Sequence, residues 1–157
     1  MKHSARIIVD ADACPVKRET IETARRYGAA VLLVASYDHL LDSHEDSGAT
    51  VVQVDRSDQS ADMYIAGVLK PGDILITQDF GLATIGLSRG AQVLSFRGQP
   101  YTGDNIEFLL ARRHALSRER RGGLRSKGPK AMTREDRMIF QQTLTKILEV
   151  RQENAPD

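Results

Sequence analysis

Short apolar runs that lead into acids constrain this chain more than any other feature. Ile7-Ile8-Val9 runs into Asp10-Ala11-Asp12, and Ile74-Leu75-Ile76 runs through Thr77-Gln78 to Asp79. Runs of this length, each followed by a helical pattern, read as buried parallel strands entering helices. Repeated strand–helix alternation then predicts a three-layer α/β/α fold around a central, mainly parallel sheet. In open sheets of this kind ligands bind at the carboxyl ends of the strands, which is where the acids fall.

The pattern predicts strands over residues 6–10, 31–34, 50–54, 74–77 and 92–96. Helices are expected over 16–27, from Asp58 or Ser60 to Leu69, over 82–88, from 106 to 115, and from 134 to 151. Pro15 suits the approach to the first helix or its first turn, and Gly28, Pro71-Gly72 and Gly90 read as stops. Asn105 is placed to cap the helix that starts at 106, and Thr133-Arg134-Glu135-Asp136 resembles a capping box with Asp in place of Glu or Gln. Residues 36–48 read as a polar loop, with at most a short helix. Residues 118–130 read as a basic loop, mobile without a partner. No repeat is visible, and 157 residues suit one domain, 1–157, that contains the basic segment 112–130 and the last helix.

Composition excludes several classes. Hydrophobic residues make up 41% and charged residues 27%, ordinary values for a soluble globular protein. The longest apolar stretch, 29–35, is far too short to cross a bilayer. No signal peptide is visible in Met1-Lys2-His3-Ser4-Ala5-Arg6, and the single Cys14 excludes an internal disulfide framework or a multi-cysteine zinc site. A cytoplasmic protein is expected. The net charge of +1 conceals an uneven distribution: residues 1–111 hold 10 basic and 15 acidic side chains, whereas residues 112–130 hold 8 basic and one acidic. An acidic body joined to a basic segment points to a polyanionic partner.

Asp10 and Asp79 are the first candidates for chemistry. A lone strand-terminal acid is usually a turn former or a helix cap, but two on separate strands of one sheet, with further acids nearby, point to a site. Asp58 and Asp62, four apart, share a helix face if both are helical, and a helix dipole accounts for Asp58 better than for Asp62. Asp12 completes the site, caps the following helix, or both. Asp104, in a turn-rich stretch, reads equally as a ligand or a turn residue. Oxygen-only donors select Mg²⁺ or Mn²⁺, which orient a phosphodiester, help to deprotonate water and stabilise a leaving oxygen.

Cys14 lies near a helix N-terminus, which would lower its pKa, yet no histidine partner is evident. A Cys-x5-Arg phosphatase loop would need Arg where Thr20 stands. The four histidines, His3, His39, His44 and His114, show no ligand spacing and read as surface or structural residues. The basic side chains Arg112, Arg113, Arg118, Arg120, Arg121, Arg125, Lys127 and Lys130 are interleaved with Gly122, Gly123 and Gly128. That composition allows backbone to approach phosphates and gives salt-sensitive, sequence-independent affinity for nucleic acid, RNA foremost. Aromatic content of 5% provides no obvious base-stacking platform, and Tyr101 is the one candidate nearby.

These residues resemble a known family. Val9-Asp10-Ala11-Asp12-Ala13-Cys14-Pro15-Val16, Asp58-Gln59-Ser60-Ala61-Asp62, and Gly72 to Asp79 with Leu82-Ala83 resemble the YaiI/YqxD family of uncharacterised bacterial proteins. The likeness continues through Arg97-Gly98, Asn105-Ile106, Arg112, Arg121-Gly122-Gly123, Gly128-Pro129 and Phe140. That family looks like a branch of the PIN-like nuclease superfamily, whose acids follow the first strand, sit on a central helix, and form a Thr-x-Asp after the fourth strand. Asp10, Asp62 with Asp58, and Thr77-Gln78-Asp79 match those places. The resemblance implies a PIN-like fold and a Mg²⁺- or Mn²⁺-dependent nuclease in which Asp10, Asp62 and Asp79 are catalytic. Asp-Ala-Asp-Ala-Cys-Pro departs from the usual PIN start, which needs one acid.

Two other readings compete. Asp10-Ala11-Asp12 superficially matches the Asp-x-Asp start of haloacid-dehalogenase-like phosphatases, although Cys14 stands where Thr or Val is expected. A non-catalytic RNA- or ribosome-associated binder would keep the fold and the basic segment without cleaving anything.

Overall fold

The computed structural model describes residues 5–36, 48–55, 60–121 and 131–154. Six strands form one sheet: β1 (Arg6–Asp10), β2 (Ala30–Ser36), β3 (Thr50–Val54), β4 (Ile74–Ile76), β5 (Gln92–Leu94) and β6 (Pro100–Tyr101). Their order is β3-β2-β1-β4-β5-β6. The first five run parallel, and β6 pairs antiparallel with β5. The helices are α1 (Lys17–Tyr27), α2 (Ser60–Val68), α3 (Phe80–Ser88), α4 (Gly103–Arg121) and α5 (Arg134–Asn154).

The uninterrupted apolar runs fill two cores because alternate strand side chains point to opposite faces. Ile7, Val9, Ile74 and Ile76 pack on one face with Ile21 and Ala24 of α1 and with Phe140, Leu144 and Leu148 of α5. Ile8 and Leu75 pack on the other with Ile65 of α2, Leu82 and Ala83 of α3, and Ile106 of α4. The protein is therefore a three-layer α/β/α structure with a mainly parallel sheet, as the alternation predicted. Among the described residues, no helix is long and apolar enough to cross a membrane.

Connectivity fixes where a ligand can bind. From β1 the chain moves outward through β2 and β3, then returns to the opposite side of β1 to form β4. β1 and β4 are neighbours whose onward connections diverge, which opens a crevice beyond their carboxyl ends. The amino edge is closed instead. There the Arg6 guanidinium donates to both carboxylate oxygens of buried Asp73 (3.1 and 2.6 Å) and to the Val68 carbonyl (2.6 Å), and the Lys70 N–H donates to Asp73 (2.8 Å).

Several local expectations hold. Gly28 ends α1 in the left-handed conformation, φ 68°, and its N–H reaches back to the carbonyls of Ala24 and Arg25. Thr133 and Asp136 form the reciprocal cap of α5: the Thr133 N–H donates to Asp136 and the Asp136 N–H to the Thr133 hydroxyl, each at 3.0 Å.

Others are corrected. β5 stops at Leu94 rather than residue 96 because Ser95-Phe96-Arg97-Gly98 turns the chain back, with Gly98 N–H donating to Ser95 O at 3.1 Å. The turn creates β6, too short to show a periodicity. α4 starts at Gly103, with Thr102 and Asn105 capping each other reciprocally (2.8 and 3.1 Å), so Asn105 acts from inside the first turn. α4 also runs on to Arg121. Arg118, Arg120 and Arg121 are therefore helical, not loop, because the stretch from Ala111 contains strong helix formers and no glycine before Gly122. α2 begins at Ser60, and the alternative start at Asp58 lies outside the described residues.

Candidate functional site

β1 delivers Asp10 at its last residue, and the chain then turns through Asp12 and Ala13, the latter at φ 60°. β4 delivers Thr77, Gln78 and Asp79 alongside. Asp79 N-caps α3, its carboxylate accepting the Leu82 N–H at 3.1 Å. Asp10, Asp12, Gln78 and Asp79 line a cleft of about 550 Å³ with Ala13, Pro15, Phe96, Arg97 and Met132. The cleft opens at the switch point between β1 and β4.

Fully buried Thr77 joins the two strands chemically. Its hydroxyl donates to Asp10 Oδ2 at 2.9 Å and accepts the Asp79 N–H at 3.0 Å. Gln78 fastens the neighbouring loop, its side-chain oxygen accepting the Phe96 N–H at 2.8 Å. Asp12 accepts the Ser36 N–H with both oxygens (3.0 and 3.3 Å), tying the β1–α1 turn to the end of β2. It does not cap α1, whose N-cap Val16 has no side-chain cap.

The carboxyls act on one another. Burial pushes the Asp10 pKa up to about 6 against the Thr77 hydrogen bond, and the charges of Asp62, Asp12 and Asp79 push the same way. Asp62, in the first turn of α2, is also raised, first by burial and then by the charges of Asp79 and Asp12. The cleft thus holds Asp10, Asp12 and Asp79 from two chain segments; Asp62 of α2 is not among the residues that line it, although its charge acts on Asp10. Oxygen donors of this kind suit a hard divalent cation, and Mg²⁺ is commonly held through only one or two carboxylates. Among the described residues, no group of three or more His, Cys, Asp or Glu side chains could hold a metal ion as it stands.

Other expected site residues fall elsewhere. Asp104 is exposed in the first turn of α4 and does not line the cleft. Asp58, Arg125, Lys127, Lys130, Gly122, Gly123 and Gly128 lie outside the described residues, as do His3, His39 and His44. Arg112 and His114 are exposed on α4, which also carries Arg113. Cys14 is buried, and burial pushes its thiol up to about 11, so its position before α1 does not yield a thiolate. Burial, then the charge of Asp79, pushes the Tyr101 phenol up to about 12.

Sequence reasoning did not place Arg97 or Met132 in the site. Arg97 was legible in principle, since it follows β5, and loops after neighbouring parallel strands emerge on one edge. Met132 carries no such signal; it reaches the cleft because it leads into α5.

A family model described as "Uncharacterized BCR, YaiI/YqxD family" (DUF188) matches residues 8–150. A UPF0178 protein from Bacillus velezensis is 46% identical over 143 residues, covering 90% of this chain and 84% of its own length. One from Listeria welshimeri is 40% identical over 149 residues, 95% of this chain and 99% of its own. Another, from Bacillus pumilus, is 43% identical over 147 residues, 94% and 88%. No solved structure matches the chain.

Proposed function

The chain belongs to the YaiI/YqxD family, and we propose that it is a divalent-cation-dependent nuclease that hydrolyses phosphodiester bonds of RNA, or of single-stranded DNA. One observation supports this reading: Asp10, Asp12 and Asp79 line one cleft at the switch point of the sheet, and burial, then the charges of neighbouring carboxyls, raises the proton affinity of Asp10 there and of Asp62 on α2. Ionised carboxylates held close together repel one another, and a bound divalent cation would relieve that repulsion. The PIN-like resemblance adds to this, because Asp10, Asp62 and Asp79 are the positions it selects.

Asp10, Asp62 and Asp79 would hold Mg²⁺ or Mn²⁺, with Asp12 beside them. Such an ion supplies charge neutralisation and Lewis acidity at a phosphoryl oxygen. The protein's own contribution is orientation. Thr77 fixes Asp10 at the end of β1 by donating to Oδ2 and sets the backbone of Asp79, whose carboxyl is held by the α3 N-terminus through the Leu82 N–H. The basic side chains from Arg112 to Lys130 would attract the phosphate backbone.

The test is a cleavage time course on labelled single-stranded RNA with Mn²⁺, comparing wild type with Asp79→Asn, each with and without EDTA. Asparagine is as good an N-cap as aspartate, so α3 stays capped. Cleavage by wild type alone, abolished by EDTA, is the expected result; equal cleavage by both proteins refutes the assignment. The lack of a ready three-ligand group among the described residues favours one rival, a non-catalytic RNA binder. That rival predicts salt-sensitive RNA binding that survives EDTA, with no product formed.

A further inference from the structure

Arg97 supplies the one cationic side chain among the described residues that line the acidic cleft. It is held there from outside the sheet. Its Nη1 donates to Asp136 Oδ2 at 2.5 Å, and that same oxygen accepts the Thr133 N–H. Asp136 thus both completes the reciprocal cap with Thr133 and pairs with Arg97.

A purely structural tie is a weak explanation for the pair. Both side chains are partly exposed, 33% and 22%, and ion pairs of that kind add little stability. The start of α5 is already fastened without it: Arg137 donates to the Pro15 carbonyl, Phe140 is fully buried, and the Gly98 backbone lies directly against that of Phe140. A guanidinium, moreover, carries five N–H donors in a planar fork that matches phosphate oxygens bidentately.

We propose that Arg97 grips a non-bridging phosphate oxygen of a polynucleotide at the cleft, with Asp136 as its positioning residue. The inference rests on the nuclease reading for the choice of a phosphodiester ligand. α5 then does more than cover the sheet: its first turn aims the phosphate anchor at the cleft, while Met132 just before it forms part of the wall.

The test is binding, not turnover. A fluorescein-labelled, cleavage-resistant phosphorothioate oligouridylate is titrated in Mg²⁺ buffer at several salt concentrations, with anisotropy as the readout. Arg97→Ala is expected to weaken binding about tenfold and to lower the magnitude of the salt slope by about 0.7. Arg97→Lys keeps the charge but not the fork, and should retain the slope while losing part of the affinity. Asp136→Asn keeps the cap and should weaken binding in the wild-type background but not in Arg97→Ala, whereas a merely structural role would cost the same in both. Wild-type affinity in Arg97→Ala, additive effects in the double variant, or no RNA binding by wild type each overturns the proposal. Loss of binding in Arg97→Ala, alongside a wild type that never cleaves RNA, would uphold the anchor and sink the nuclease reading.

Discussion

Replacing Asp10 by asparagine should stabilise the metal-free protein at neutral pH. Asp10 titrates near 6 in the fold instead of at its ordinary 3.8, chiefly because it is buried, and then because Asp62, Asp12 and Asp79 repel its charge. At about 1.4 kcal/mol per pH unit, that rise is worth roughly 3 kcal/mol as an upper bound. The sign follows from linkage. A raised carboxyl pKa means that the folded state holds the proton more tightly. Its stabilising contribution is fully present below 3.8 and is lost as pH rises through about 6, so wild type carries the penalty at pH 7. Asparagine removes the charge yet still offers an oxygen to the Thr77 hydroxyl. Urea denaturation in EDTA should show Asp10→Asn more stable by about 1–3 kcal/mol at pH 7, with the advantage gone near pH 4. Adding Mn²⁺ at pH 7 should narrow the gap by stabilising wild type through mass action. A variant less stable than wild type at pH 7 in EDTA, or one with an equal advantage at both pH values, refutes the electrostatic account of the cleft.

Two further outcomes test the scaffold. Gly98→Ala should destabilise by about 3 kcal/mol in denaturant melts, because Gly98 sits at φ 83° and a Cβ there would lie 2.9 Å from the Phe140 Cα; a loss below measurement error would mean that the β5–β6 turn and α5 are not in close contact. Cys14, buried and with its thiol pushed up to about 11, should resist iodoacetamide at pH 8 in the native protein and react on unfolding in urea, and prompt native labelling would restore it as a candidate nucleophile.

The legible part of the fold was the part with a strong local signal. β1 and β3 match the residues expected of them, since each is an apolar or alternating run bounded by polar residues. α1 ends at Gly28 as expected because only a left-handed residue closes that cap. β6 was not legible: two residues cannot display a period, and Pro100-Tyr101 pairs only because the turn at Gly98 folds it back on β5. The extension of α4 through Arg121 was missed for a different reason. Charge density there suggested a loop, although arginine is a good helix former and the first glycine comes only at Gly122.

The site divides along the same line. Asp10 and Asp79 could be read from the sequence because each ends or follows a buried strand, and parallel strands bring their carboxyl ends together whatever lies between. Asp62 needed the helix to be placed over the same edge, which its four-residue spacing from Asp58 suggested but did not require. Asp104 had only its acidity in common with them, and it stands exposed on α4, away from the cleft. Arg97 was hidden by the opposite bias, since a search for acids passes over a cation. Yet the order of the strands already contained it: the loop after β5 opens on the same edge as the loops after β1 and β4. Arg97 lines the same cleft as Asp10 and Asp79 for that topological reason, with no sequence pattern shared with them.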